Sequence, residues 1–164
     1  MPYSTESYKE EVCRHITAIV ESDAKLLDVG PGVGRYGTEL KHLYVDAVEI
    51  YEPYIERFGL RQIYKNIHCN DILSFDWNSY DYIILGDVLE HIELTKAQKL
   101  ISDITQSSKK CLVAVPYMFE QGEWDGNIYE THLQPDLTPE NMLTRYPELK
   151  FLIGEPGYGY YTNY

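Results

Sequence analysis

The sequence has 164 residues, 44% of them hydrophobic, a length typical of one domain that buries its core without metal or disulfide support. Its 26 Asp and Glu against 14 Lys and Arg give a formal net charge of −12, which disfavours a nucleic-acid substrate, because phosphate binding needs a basic face. The chain begins without a signal-like segment and has no apolar run of about 18 residues, so we expect a cytoplasmic protein without membrane contact.

The three cysteines, Cys13, Cys69 and Cys111, are odd in number, widely spaced and next to apolar residues. This pattern is typical of small buried hydrophobic residues and not of a disulfide framework. It predicts three buried thiols in a reducing compartment.

The first predicted elements are a helix and a strand. Residues 8–20 carry Val12, Cys13 and Ile16 at the spacing of one helix face, which predicts a packing helix. The apolar run at 25–29 predicts a buried strand.

A glycine-rich turn, Gly30–Gly34, follows this strand, and glycines there let the backbone adopt positive φ and let a ligand approach closely. Val33, Leu40 and Leu43 then recur at roughly helical spacing, which predicts a helix. A strand, a turn and a helix in this order place a nucleotide-sized ligand at the helix N-terminus.

Two classes of ligand suit this turn. The run Gly32-Val33-Gly34-Arg35-Tyr36-Gly37 matches the dinucleotide pattern G-x-G-x-x-G. Asp28, however, lies two residues before the first glycine, where a carboxylate repels a pyrophosphate and attracts an amino group. S-adenosylmethionine (SAM) carries an ammonium and a sulfonium and no phosphate, so Asp28 favours SAM.

The segment Asp28-Val29-Gly30-Pro31-Gly32-Val33-Gly34 resembles the first motif of class I SAM-dependent methyltransferases, an acid followed by G-x-G-x-G. The chain is similar to their small, single-domain members of type 11 or 12. The resemblance implies SAM as the cofactor and places five residues of the motif against it: Asp28, Gly30, Pro31, Gly32 and Gly34.

A second strand is predicted over 45–50, and it ends on an acid, Glu49. A carboxylate at this strand tip can accept hydrogen bonds from both ribose hydroxyls, and the resemblance gives the matching acid this role. Glu52 competes by spacing, but Pro53 after it predicts the start of a helix that runs to about Leu60.

A short third strand at 67–69 precedes the pair Asn70-Asp71. The resemblance places Asp71 near the adenine amino group, although the same pair is also common in ordinary turns. The apolar neighbours Ile50 and Ile72 also belong to the predicted cofactor-binding set.

The clearest strand after the first is 81–87, which is bounded by acids and rich in β-branched and aromatic residues. The resemblance places Asp87, at its end, near the methionine part of SAM, and His91 near the acceptor. His91 is a candidate general base, because histidine titrates near neutral pH. A capping or packing role for His91 is the alternative.

The rest of the chain extends this pattern. A helix is predicted over 95–107 and a fifth strand over 111–115, and strands that alternate with helices are typical of a parallel sheet. Residues 117–137 show no sustained period and are predicted as an acceptor-binding loop and lid. Thr138 and Pro139 predict a helix start, and 149–164 a hairpin.

Together these elements predict an α/β fold with a Rossmann-like, doubly wound and mostly parallel sheet. The sheet has seven strands and ends in a C-terminal antiparallel hairpin. Residues 1–164 are expected to form a single methyltransferase domain.

The predicted activity is SAM-dependent methyl transfer to oxygen or nitrogen of a small-molecule or glycan-like acceptor. Displacement at a sulfonium needs an aligned acceptor and, for a hydroxyl, a group that removes its proton. His91 and His132 are the base candidates, and Tyr117 and Tyr129 are expected to shape the pocket. A homodimer or a partner protein is compatible with the sequence.

A metal-assisted reaction is a second possibility. Asp87, Glu90, His91 and His132 resemble the metal-binding acid-x-x-Glu-His and distant His of some methyltransferases that act on RNA ends, and a similar cluster occurs in some quinone-precursor O-methyltransferases. We predict no metal, with this quartet as the ligands of a metal-assisted O-methyltransferase if one is present. A non-catalytic partner subunit and a nicotinamide oxidoreductase are also compatible with the sequence.

Overall fold

The computed structural model describes residues 7–164. Its strands are β1 Lys25–Val29, β2 Tyr44–Glu49, β3 Ile67–Cys69, β4 Tyr82–Gly86, β5 Lys110–Pro116, β6 Lys150–Glu155 and β7 Tyr158–Thr162. They form one sheet in the order β3-β2-β1-β4-β5-β7-β6. β2 pairs in parallel with both β1 and β3, and β7 pairs antiparallel with both β5 and β6. The predicted α/β, Rossmann-like, mostly parallel sheet with a C-terminal antiparallel hairpin is confirmed.

The helices agree with the predicted positions in most of the chain. They are α1 Lys9–Ile19, α2 Arg35–Glu39, α3 Glu52–Arg57, α4 Leu94–Gln106 and α5 Pro139–Arg145, with short 3₁₀ turns at Leu60–Gln62, Leu89–His91 and Ile128–Glu130. None of the helices within residues 7–164 is long and apolar enough to cross a membrane.

Backbone contacts divide the described residues into two compact units, 7–84 and 85–164. In the first unit Ile16 of α1 and Leu26 and Leu27 of β1 are completely buried. In the second unit the same holds for β5 over 111–115. Each unit thus has an aliphatic core of its own, and the expectation of a single domain for the whole chain stays a prediction.

Much of the unusual tyrosine content lies in these cores. The chain has 16 tyrosines, and the largest fully buried side chains include Tyr82, Tyr146, Tyr160 and Tyr161. A buried phenol needs a hydrogen-bond partner for its hydroxyl. The Tyr146 hydroxyl, for example, donates to Oε1 of Gln134 at 3.0 Å. The tyrosines therefore serve largely as core residues.

The helix after the glycine turn is shorter than predicted. α2 has five residues and ends at Glu39, so the predicted apolar face of Val33, Leu40 and Leu43 is wrong. The buried residues of α2 are Tyr36 and Gly37 instead. Gly37 is required there, because a Cβ atom would overlap the ring of Tyr64.

No helix connects β3 to β4 in the described chain, so the predicted alternation is wrong at this place. Two acids hold the connection in turns: Asp71 accepts a hydrogen bond from the Leu73 N–H at 2.9 Å, and Asp76 accepts one from the Asn78 N–H at 3.1 Å. Side chains that bind their own backbone in this way favour turns over helix.

The prediction of three buried cysteines is correct for Cys13 and Cys111 and wrong for Cys69, which is exposed. Cys69 ends β3, and β3 lies at one edge of the sheet, where one side of the strand has no neighbouring strand. Apolar neighbours in the sequence do not reveal such an edge position.

A capping box begins α5. The Thr138 hydroxyl accepts a hydrogen bond from the Asn141 N–H at 3.1 Å, and the Asn141 side chain accepts one from the Thr138 N–H at 2.7 Å. We expect Thr138→Ala to lower the free energy of unfolding by about 1 kcal/mol, because one helix N–H loses its acceptor. Urea unfolding measures this, and Thr138→Ser, which keeps the hydroxyl, should cost far less. Equal losses in the two variants would contradict the capping role.

Candidate functional site

The turn after β1 has the backbone that only glycine adopts readily. Gly30, Gly32 and Gly34 have φ values of 58°, 52° and 80°. A Cβ atom at Gly34 would also lie 2.6 Å from Cδ1 of Ile63. Pro31, between the glycines, is buried. The turn is therefore shaped by its glycines, and it exposes Gly30 directly after strand β1.

Three strand ends meet beside this turn in the first unit. The Gly30 N–H donates to the Val48 carbonyl at 2.9 Å, and the Asn70 N–H donates to the Glu49 carbonyl at 3.0 Å. Glu49 also pairs with Cys69 across β2 and β3. The glycine turn, Glu49 and the Asn70-Asp71 pair thus follow three neighbouring parallel strands at the same edge of the sheet. Ligands of open α/β sheets bind at this edge.

Glu49 is buried at this edge, with 4% of its surface exposed. Its Oε1 atom accepts a hydrogen bond from the Tyr51 N–H at 2.8 Å, which fixes the carboxylate. The competing acid, Glu52, is exposed and begins α3, as Pro53 predicted. Glu49 is therefore the acid of β2 that burial and a backbone hydrogen bond hold in place.

The other predicted cofactor residues of this unit lie beside Glu49 along the chain. Ile50 follows it directly and is half-buried, and Ile72 is buried. Asp71 is half-buried, and its Oδ1 atom is occupied by the turn to Leu73. The binding roles of these residues stay predictions.

Asp28 is completely buried, and its carboxylate points to a residue that the sequence analysis missed. The Tyr64 hydroxyl donates to Oδ2 of Asp28 at 2.5 Å and accepts from the Gly37 N–H at 3.3 Å. Burial raises the pKa of Asp28 to about 7, and the Tyr64 hydrogen bond and the charge of Lys9 reduce this increase. Asp28 of β1 is thus connected through Tyr64 to Gly37 of α2.

In the second unit, Asp87 follows β4 with a φ of 56°, a left-handed conformation that Asp tolerates better than most residues. Its N–H donates to the Ala114 carbonyl at 2.9 Å, and the Tyr158 hydroxyl donates to its Oδ2 atom at 2.8 Å. These contacts fix both the main chain and the side chain of Asp87.

Glu90, His91 and His132 lie together in the second unit, although 41 positions separate the two histidines. One possible ligand atom from each of the three side chains lies within 4.8 Å of the other two. The histidine rings are 4.7 Å apart and nearly perpendicular. Asp87, the fourth member of the predicted quartet, does not belong to this cluster.

Burial changes the protonation of this cluster. It raises the pKa of Glu90 well above its ordinary value, and the negative charge of Asp87 adds to this effect. Burial lowers the pKa of His91 to about 4, with a further contribution from His132, and it also lowers the pKa of His132. Both imidazoles are therefore uncharged at neutral pH.

The predicted lid, residues 117–137, contains a tight turn that its sequence could have revealed. Trp124 pairs with Asn127 around Asp125 and Gly126, which have φ values of 52° and 77°. Asp-Gly is a strong signal for such a turn. The segment also exposes several large apolar side chains: Met118, Phe119, Trp124, Ile128, Tyr129 and Leu133.

The two tyrosines expected to shape the acceptor pocket lie in different surroundings. Tyr117 lines a groove of about 400 Å³ beside α5, β6 and β7, where its hydroxyl lies 2.5 Å from that of Tyr161. Tyr129 is exposed and does not line this groove. Their roles in acceptor binding stay predictions.

Residues 27–111 match the model of a family described as the methyltransferase domain. The chain belongs to this family. It is therefore an SAM-dependent methyltransferase, as the acid before the glycine turn indicated, and not a nicotinamide oxidoreductase.

Solved structures agree with this fold for the methyltransferase. The CcbJ methyltransferase from Streptomyces caelestis superposes with a TM-score of 0.71 at 10% identity, over 99% of this chain and 91% of its own. The glycopeptide N-methyltransferase MtfA, solved with SAM, gives 0.62 at 10% identity, over 98% and 88%. The N-methyltransferase NodS from Bradyrhizobium japonicum gives 0.62 at 14% identity, over 98% and 97%. No protein with a curated description shows significant sequence similarity to the chain.

Three residues that act on the predicted site residues were missed by the sequence analysis: Tyr64 and Tyr158, which donate hydrogen bonds to Asp28 and Asp87, and Lys9, whose charge acts on Asp28. Each is far along the chain from the acid that it affects, and none stands in a recognisable motif. Lys9, for example, begins α1, and the apolar spacing of that helix gives a lysine at this position no role. In the structure Lys9 is only 1% exposed, and its ammonium lies 4.2 Å from the ring centre of Tyr36.

Proposed function

We propose that this methyltransferase transfers the methyl group of SAM to a hydroxyl or amine of a small-molecule or glycan-like acceptor. The observation that carries the proposal is a set of exposed aromatic rings in residues 117–137 together with two neighbouring histidine rings, His91 and His132, in the second unit. The Phe119 ring lies 5.5 Å from the His132 ring, and Trp124 and Tyr129 are exposed in the same segment. Aromatic faces suit the apolar C–H faces of sugar rings and also flat aromatic acceptors. The net charge of −12 makes a polyanionic acceptor unfavourable.

SAM supplies an activated methyl group, and the residues of the chain bind it and position the acceptor. We assign the ribose hydroxyls to Glu49, and the methionine part to the Gly30–Gly34 turn and Asp87. We assign the adenine to Asp71, with Ile50 and Ile72 beside it. The buried carboxylate of Glu49 and the glycine turn, whose Gly30 is exposed, support this assignment.

His91 and His132 are assigned to the acceptor side. Because both rings are uncharged at neutral pH, each can accept a hydrogen bond or a proton from the acceptor. During transfer the acceptor atom forms a bond to the methyl carbon while the carbon–sulfur bond breaks, and the electron pair of that bond stays on sulfur. The proton of the acceptor then passes to the imidazole or to solvent.

This assignment is tested by an acceptor screen with SAM, followed by His91→Ala and His132→Ala. We expect each change to slow transfer by about 100-fold or more with SAM affinity retained, because the acceptor loses a positioned polar group. His42→Ala is the matched control, since His42 is exposed in the first unit and its Nε2 atom lies 3.2 Å from the Thr17 hydroxyl. Unchanged rates in both variants would contradict the role of the histidines, and a preference for RNA would contradict the acceptor class.

The cellular compartment is a further part of this proposal. The three cysteines are free, and two of them are buried. Free thiols are typical of a reducing compartment, which supports a cytoplasmic enzyme.

A further inference from the structure

The glycine turn packs against a short segment of the first unit, residues 60–64. A Cβ atom at Gly34 would lie 2.6 Å from Cδ1 of Ile63 and 3.3 Å from Cδ2 of Leu60, and a Cβ atom at Gly37 would overlap the ring of Tyr64. Gly34 and Gly37 thus let the backbone of the turn and of α2 approach this segment closely. The position of the turn therefore depends on residues that carry no assigned role in cofactor binding.

The Tyr64 hydroxyl links the two sides of the glycine turn. It donates to Oδ2 of Asp28 at 2.5 Å and accepts from the Gly37 N–H at 3.3 Å. Asp28 lies in β1 before the turn, and Gly37 lies in α2 after it. Because all three groups are buried, this hydrogen-bonded link is shielded from water.

The same hydroxyl affects the charge of Asp28. Burial raises the pKa of Asp28 to about 7, and two effects oppose this increase, first the hydrogen bond from Tyr64 and then the charge of Lys9. An ionised carboxylate directly before the turn attracts a positively charged ligand, and the attraction is stronger where water is excluded. Loss of the hydroxyl would therefore leave more of Asp28 uncharged at neutral pH.

We propose that Tyr64 is a positioning residue of the cofactor site, whose hydroxyl holds the Asp28 carboxylate in place and in its ionised form for the positively charged part of SAM. We assign Tyr64 no contact with the cofactor, since only 5% of the residue is exposed. The inference rests on the proposed function in one point, the assignment of the methionine part of SAM to the glycine turn.

Other ionisable groups near this pair do not obscure the titration of Asp28. Burial raises the pKa of Tyr64 well above its ordinary value, and it raises the pKa of Cys13 on α1, on which the charge of Asp28 acts, to about 12. Four charged side chains of α1, β2 and α2 act on Asp28, Tyr64 or Cys13: Lys9, Glu49, Arg35 and Glu39. These four are common to all the proteins compared below, so differences between the proteins report on Asp28.

The test is calorimetric titration with S-adenosylhomocysteine, which retains the amino group, at several pH values between about 5 and about 9. Tyr64→Phe keeps the ring against Gly37 and removes only the hydroxyl. We expect the affinity of the parent protein to rise as Asp28 ionises. In Tyr64→Phe the rise should move to higher pH, and the affinity at neutral pH should fall by about 10-fold, because the carboxylate loses a hydrogen bond.

Tyr80→Phe is the matched control, because the Tyr80 hydroxyl also donates to a buried aspartate of the first unit, Oδ2 of Asp46 at 2.9 Å. The neighbouring Asp81 N–H donates to the Lys25 carbonyl, so Tyr80 lies where β1 begins and the glycine turn lies where β1 ends. The affinity and pH profile of Tyr80→Phe should equal those of the parent protein.

Asp28→Asn is the second test variant, and it should abolish the rise of affinity with pH. Adding Tyr64→Phe to Asp28→Asn should change the affinity little further, because the hydroxyl acts through the charge of Asp28. A purely structural role of Tyr64 would instead lower the affinity equally at every pH and in both backgrounds.

The proposal is overturned if Tyr64→Phe has the affinity and pH profile of the parent protein, or if its loss is the same at every pH. Circular dichroism shows whether the variants fold. If Tyr64→Phe does not fold, a rise of affinity with pH that survives in Asp28→Asn would overturn the proposal. A parent protein that binds no S-adenosylhomocysteine would contradict the proposed function as well, whereas binding that Tyr64→Phe leaves unchanged contradicts the role of Tyr64 alone.

Discussion

Replacement of Asp28 by Asn should change the pH dependence of unfolding by about 4 kcal/mol between pH 4 and pH 8. Burial raises the pKa of Asp28 to about 7 in the folded enzyme, against an ordinary value of 3.8. A difference of about 3 in pKa corresponds to about 4 kcal/mol.

The sign of this effect follows from linkage. Because the folded pKa is higher than the unfolded one, Asp28 ionises in the unfolded chain first, and its contribution to stability is lost as the pH rises from about 4 to about 7. Asn cannot ionise and escapes this loss. The variant should therefore gain stability relative to the parent as the pH rises from about 4 to about 7.

Urea unfolding of both proteins at several pH values measures the effect. The informative quantity is how the difference in the free energy of unfolding between the two proteins changes with pH. Other titrating groups are common to both proteins, and a constant cost of the Asn amide shifts the difference equally at every pH. Two curves that stay parallel from pH 4 to pH 8 would show that Asp28 ionises normally in the folded state.

The second large effect is expected at Glu49. Glu49→Gln should weaken the binding of SAM and S-adenosylhomocysteine by about 100-fold or more, equivalent to about 3 kcal/mol, because charge-assisted bonds to two ribose hydroxyls are lost. The variant should fold, since Gln retains an oxygen that can accept the Tyr51 N–H.

Glu52→Gln is the matched control for this titration. Glu52 is the competing acid, lies three positions further on and is exposed at the start of α3. The Glu52→Gln variant should bind SAM like the parent protein. If calorimetry shows the loss of affinity in Glu52→Gln instead, the ribose contact has been assigned to the wrong carboxylate.

The sheet could be predicted because each of its main strands carries its own signal. β5 contains a continuous apolar run at 111–115, β1 is apolar apart from Lys25 and Asp28, and both strands are buried along nearly their full length. The two strands of the final hairpin, β6 and β7, are joined by Pro156-Gly157, a local turn signal. Where local residues determine the conformation, the sequence is sufficient.

The errors arise where distant residues determine the conformation. α2 is short, and it buries Gly37 against Tyr64, which lies 27 positions away. Cys69 is exposed because β3 is an edge strand, and edge position depends on the order of all seven strands. Neither fact is visible in a window of neighbouring residues.

In the candidate site, too, features set by local residues were predicted and contacts between distant residues were not. The glycine turn and Glu49 follow from strand ends and spacing, and the structure holds them at one edge of the sheet. The contact between Asp28 and Tyr64 joins residues 36 positions apart. No spacing rule predicts it, and it makes the first acid of the motif an interior residue of the described structure.

The edge position of Cys69 gives the enzyme a selective place for a covalent reporter. Burial raises the pKa of the Cys13 and Cys111 thiols to about 12 and shields both from reagents. Desolvation and the charges of Glu52 and Glu49 also raise the pKa of Cys69, but Cys69 is exposed, so it is the accessible thiol. A maleimide dye should therefore attach at a single position per chain, next to Glu49 in the register of β2 and β3. Its fluorescence would follow occupancy of this sheet edge without any substitution in the protein.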